Sequence, residues 1–227
     1  MGLELDFSVV LDRWQSLLDG AELTLELAFI AVICGAVIGA FGAIGRRGGN
    51  VLIARLCGAY VEGIRNTPLL VQIFLVYFGL SSLGLKFSAF TVAAVALTIN
   101  VGAYTTEIMR AGFDSIHRGQ IEAAEGLGLS KAQIYWHVVL WPAIERVYPA
   151  LTSQFVLLML ASSVTSQISA EELTAVANYI QSETYRSFET YIVVALIYVA
   201  LSFIMRLGFW LLGLALFPRR RRLGTPL

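Results

Sequence analysis

Long stretches of this chain carry no charge. Runs at 27–45, 66–85, 87–106 and 147–170 contain no Asp, Glu, Lys or Arg, and a fifth at 190–217 is broken once, by Arg206. Each is close to or above the roughly 18 residues that mark a helix able to cross a bilayer. The pattern predicts about five transmembrane helices. Residues 3–18 mix apolar and acidic positions, which predicts an interfacial segment. Thr24, just after Asp19 and Gly20, is placed to cap the first span. Residues 51–66 read as a lead-in helix on the inner surface, and Pro68 suits the first turn of the second span. Spans two and three close in a tight outer hairpin around "SSLGLK". The stretch 108–146 is too polar to cross, and 169–189 predicts an outer segment with one short helix.

Composition agrees. The chain is 57% hydrophobic and only 14% charged, with a mean hydropathy of +0.73, whereas a soluble domain sits nearer half and a quarter. Net charge is formally zero, so no global field argues for nucleic acid. Local charge sets the orientation. One set of loops holds Arg46, Arg47, Arg55 and Arg65, then Arg110, Arg118, Lys131 and Arg146, then Arg219, Arg220, Arg221 and Arg222. The alternate loops hold only Arg13, Lys86 and Arg186. The rich set is cytoplasmic by this rule, with the N-terminus outside and the C-terminus inside. The basic tail reads as a topology anchor, with nucleic acid or anionic lipid as the other reading.

The reading is therefore an all-α integral membrane protein of one domain. An outer interfacial segment occupies 1–22, a transmembrane domain 23–217 with a cytoplasmic loop at 111–146, and a basic cytoplasmic tail 218–227. No signal peptide is expected, since the first 26 residues lack a basic region before an apolar core. Gly35 and Gly39 stand one turn apart, which lets a second helix approach closely, in a dimer or within one bundle. Cys34 and Cys57 have no CxxC spacing and read as packing residues.

Enzymatic chemistry is missing. There is no GxxxxGK[ST] phosphate loop, no GxSxG, and no metal-ligand pattern around His117 or His137, so no metal and no cofactor are expected in this chain. Arg206 is the one clear charge deep in a span, and either pairs with Glu107 or snorkels inward. A carrier working alone would need an ion relay, and none is visible.

The cytoplasmic loop contains "GQIEAAEGLGLS", residues 119–130. Ile121 to Glu125 predicts a short helix displaying Glu122 and Glu125, with Ala123 and Ala124 small enough for close approach by another protein. Gly126 and Gly128 permit the positive φ that ends it. Ser130 and Gln133 then form a capping box, and Pro142 breaks the helix that follows. Such an element is built to dock, unless it is only a solvated connector.

"EAAEGLG" resembles the EAA loop of ABC importer permeases, with Gly128 as the motif glycine and Val138 and Leu140 at its distal apolar positions. The family's proline falls at Trp141, with Pro142 one place later. "EGIRNTPLLVQIFLVYFGL", "AYTTEIMRAGFDSI" and "EELTAVANYIQSETYRSFETY" are similar to patterns of the polar amino acid permeases in that group. The resemblance covers about residues 20–217. It implies a type I ABC importer permease-like fold and one permease subunit of an amino acid importer in a bacterial inner membrane. Partners implied are a second permease (a copy or a different chain), an ABC ATP-binding subunit carrying ATP and Mg, and a periplasmic amino acid-binding protein, all amid membrane lipids. Glu122, Ala123, Ala124 and Gly128 would then couple to the ATPase.

The candidate path is lined by polar residues within spans, namely Asn100, Tyr104, Ser153, Gln154 and Thr165. Asn100 and Tyr104 share one helical face. The alternative is that such groups bond their own helix or tie helices together. Glu107 and Arg110, three apart, pair as a structural ion pair or a gate. Glu171 and Glu172 open the outer segment, as docking residues for a binding protein or as helix-start acids. A stand-alone secondary transporter or channel of five spans is the competing reading.

Overall fold

In hydrocarbon a backbone has no water to bond, so a spanning chain must close its hydrogen bonds within helices. The computed structural model describes residues 5–217, and they form helices without a strand. In chain order these are α1 (Ser8–Leu11), α2 (Trp14–Arg47), α3 (Val51–Arg65), α4 (Leu69–Ser82), α5 (Ala89–Asp114) and α6 (Arg118–Gly126). There follow α7 (Lys131–Gln133), a π-helical stretch (Ile134–Leu140), α8 (Trp141–Ala161), a 3-10 turn (Ser162–Ile168), α9 (Leu173–Thr184) and α10 (Ser187–Leu216). The basic tail with Arg219 to Arg222 lies outside the described residues.

Among the described residues, four helical stretches are long and apolar enough to cross a membrane: α2, α5, the continuous rod at 131–168, and α10. A fifth span counts only if α3 and α4 are taken together, and these are bent by 110°. The run at 66–85 is thus helical over Leu69–Ser82 alone, about 21 Å. The chain cannot carry the helix through Pro68, which holds ψ at 138° and ends the preceding element. Ser88 caps α5 through the Thr91 amide at 3.2 Å, across a turn where Gly84 adopts φ +77°.

α5 is the central helix, with α2, α3, α4 and α8 packed around it. Small residues set the closest crossing. Gly35, Gly39 and Gly42 of α2 lie on Val101, Thr105 and Thr106 of α5, where a methyl group would overlap the facing side chains. The glycine spacing is therefore used within one subunit. A main core joins Leu27, Ala31, Ile73, Leu97, Val101, Phe155 and Leu158. A second, outer core gathers Val10, Leu17 and Ala21 with Leu173, Ala177, Ile180 and Val193.

That outer core corrects the reading of Thr24. α2 runs unbroken through it, so Thr24 is no cap, and the boundary drawn at residue 22 falls inside a helix. Its hydroxyl donates to the Gly20 carbonyl at 2.9 Å and accepts from the Leu173 amide at 3.1 Å. The interfacial residues extend the first span because α9 packs against them.

Pro142 is corrected too. The helix passes through it, entering α8 from the π-helical turns. A proline ring crowds the carbonyl four residues back and has no N–H to bond it. The wider π turn relieves both.

Candidate functional site

The short helix expected at 121–125 is α6, Arg118–Gly126. Ala124, 4% exposed, seats it against Phe113, Ile116, Ile134, Val139 and Ala143. Glu122, Ala123 and Glu125 are exposed. Helical periodicity separates the two alanines: Ala124 shares the inner face with Ile121, so only Ala123 is open to another protein. The end is a Schellman motif, with the Leu129 amide on Ala124 O at 3.2 Å and the Gly128 amide on Glu125 O at 2.9 Å. Gly128 has φ +76°, the left-handed conformation the motif requires. Gly126 ends the helix without a positive φ, so Gly128 alone makes the turn. Ser130 and Gln133 close their capping box one step later.

The mount beneath α6 is tied to two spans. Arg146 donates to the Ser115 carbonyl, joining α8 to the end of α5. Arg47 lies over the Phe113 ring at 5.6 Å and reaches Asp114 at 3.5 Å. Glu107 takes Arg46 at 2.5 Å and pairs also with Arg110, which bonds Asp114 at 2.6 Å. Glu107 and Arg110 thus belong to a charged lattice binding the inner ends of α2 and α5. Arg206 takes no part in it, because α10 packs chiefly on α8 and α9 rather than on α5.

The candidate path residues do not form one cluster. Asn100 is buried and donates to Gln72 Oε1 at 2.9 Å. Gln72 in turn donates to the Ile64 and Thr67 carbonyls at 2.7 and 3.0 Å, spanning the break between α3 and α4. Tyr104, one turn along from Asn100, lies under the Arg65 guanidinium at 5.5 Å. Thr165 is buried and donates to Ser162 O. Ser153 is exposed and Gln154 half-buried on α8.

The model of the binding-protein-dependent transport system inner membrane component family matches residues 27–214. The chain belongs to that family. Among its relatives, the nopaline transport system permease protein of Agrobacterium fabrum is 36% identical over 212 residues, 88% of each chain. The probable glutamine ABC transporter permease protein of Bacillus subtilis is 36% identical over 204 residues, covering 90% of this chain and 94% of that one. A crystal structure of an amino acid ABC transporter with histidines is 37% identical and superposes with a TM-score of 0.86 over 93% of this chain and 99% of that one. An inward-facing methionine ABC transporter, 21% identical, shares the fold with a TM-score of 0.75 over 90% of this chain and 98% of that one. This chain is a multi-pass permease of an ABC transporter, not an enzyme.

At the end of the bundle opposite α6, the two acids part company. Glu171 is exposed. Glu172 is fully buried and caps α9, accepting from the Thr174 and Ala175 amides at 2.9 Å each and from the Tyr198 hydroxyl at 2.8 Å. Burial pushes its carboxyl above the ordinary carboxylate range despite those bonds. A carboxylate spent in this way has no face to offer a docking protein, so Glu172 leaves that set. Two residues of the permease escaped the sequence reading. Leu127, 82% exposed at the tip of α6, presents apolar surface beside Glu122 and Glu125. Gln72 looked like one more polar residue in a span; its place beside the Asn-Thr-Pro break was the available signal.

Proposed function

We propose that this permease carries an amino acid across a bacterial inner membrane, driven by ATP hydrolysed with Mg on a separate subunit. The substrate class follows relatives named for glutamine and nopaline and a solved amino acid transporter of the same fold. In this reading the path lies between this chain and a second permease, and a periplasmic binding protein delivers the substrate near Glu171.

The observation that carries the reading is α6, a capped helix with its acids outward and its back seated through Ala124 on the ends of α2, α5 and α8. Glu122 and Ala123 would enter a groove of the ATPase, with Leu127 against its rim. Seated this way, a displacement of α6 passes to α5 through Phe113 and Ile116 and to α8 through Val139 and Ala143. A loose loop would not transmit such a rigid-body motion.

The test is to tag the chain, extract it gently, and identify what co-purifies, beside a Glu122→Lys form. Recovery of an ATP-binding subunit with the native chain, and less with the variant, supports the docking helix. A different permease in the same eluate would decide for a heterodimer. Absence of an ATPase under several mild detergents would favour a self-sufficient carrier.

A further inference from the structure

Arg206 is the single charge in the five apolar runs. It is the twentieth residue of α10, about 15 Å from the helix's inner end. Exposed Phe203, Ile204 and Leu207 surround it. A cation at such depth costs several kcal/mol unless it meets water or an anion. Among the described residues no carboxylate reaches it.

The guanidinium instead lines a cavity of about 200 Å³ between α8 and α10, with Thr152, Ser153, Tyr148, Phe209 and Trp210. Two of these hydroxyls are occupied, Tyr148 on the Phe209 carbonyl and Thr152 on the Pro149 carbonyl. The Arg206 fork, the Ser153 hydroxyl and the Trp210 indole N–H remain as donors. Three free donors with one positive charge and no acid make a site for an oxyanion.

We propose that Arg206, with Ser153 and Trp210, binds the α-carboxylate of the transported amino acid as it passes between the permeases. This rests on the amino acid reading above. Arginine's planar fork matches a carboxylate bidentately. A carboxylate is the end common to all amino acids, so a site that reads it serves the substrate class rather than one side chain. Ser153 is exposed on α8 at the same cleft.

The experiment uses the complete transporter in vesicles of phosphatidylethanolamine and phosphatidylcholine. A panel of L-amino acids first identifies one that is taken up. Binding of that amino acid and of its α-carboxamide is then measured on the transporter without the binding protein. Arg206→Gln should weaken the amino acid by about tenfold or more, the worth of a charge-assisted hydrogen bond. It should leave the carboxamide unchanged, and Arg206→Lys should recover part of the loss. Ser153→Ala and Trp210→Phe, which keep the charge, should each cost a few-fold against the amino acid only. Unchanged discrimination between acid and amide in Arg206→Gln overturns the site. So does an equal loss of both ligands, or an effect that appears only when phosphatidylglycerol is added, which would assign the guanidinium to a lipid phosphate. An empty uptake panel removes the transport reading and this site with it, whereas uptake indifferent to Arg206 removes the site alone.

Discussion

The Tyr198 hydroxyl of α10 donates to the Glu172 carboxylate at 2.8 Å, and Glu172 at the same time caps α9. Thr174 shares the Tyr198 hydroxyl at 2.8 Å, and Thr24 of α2 holds the Leu173 amide next door. The carboxylate pins α9 to α10, and Thr24 ties the first residue of α9 to α2. Tyr198→Phe should cost about 1 kcal/mol and Glu172→Ala about 1–2 kcal/mol, read by thermal unfolding in detergent.

The same pair predicts a pH effect. Burial raises the folded-state pKa of Glu172 above its unfolded value, so between the two the folded protein holds a proton that the unfolded chain releases. Stability should fall as pH rises through that window. Glu172→Gln, which keeps an acceptor oxygen, should flatten this slope. An unaltered slope would assign it to another group.

Asn100 and Gln72 bridge α5 to the break between α3 and α4. Removing either leaves buried polar partners unmet, at about 1–3 kcal/mol each. Gln72→Ala should cost more than Asn100→Ala, because its amide also serves the Ile64 and Thr67 carbonyls. A shift in substrate preference for Asn100→Ala together with Gln154→Ala, without a drop in melting temperature, would favour path lining over tying.

In α6 and its turn, Glu122→Lys and Gly128→Asp should each abolish uptake while membrane insertion stays intact. Gly128→Asp acts through the left-handed conformation, strained for a residue with a side chain. Glu122→Lys reverses an exposed charge and should leave the melting temperature unchanged. Normal uptake by both would rule out the coupling role.

Gly39 tests the packing of α2 on α5. Gly39→Val places its side chain into Thr105 and should lower stability by about 1–3 kcal/mol or prevent insertion. Gly63, with open space at its Cβ position, should accept alanine with little loss.

The apolar runs, the short loop helix with its glycine turn and the capping box were legible in the sequence, because each depends on neighbours within a few residues. Water-free surroundings make a run of uncharged residues a helix regardless of what it touches. Ser130 and Gln133 reach each other locally, and Gly128 answers to the backbone of its own turn. What each polar side chain meets was decided only in three dimensions. Glu171 and Glu172 look alike in sequence, yet α2 and α10 close over one and not the other. Ala123 and Ala124 differ by one helical step, and only the seat formed by α5 and α8 says which is inward. Asn100 found Gln72 across 28 positions, and Arg206 was separated from Glu107 because α10 packs chiefly on α8 and α9 rather than on α5. Partners brought together by packing of distant helices leave no local spacing to read.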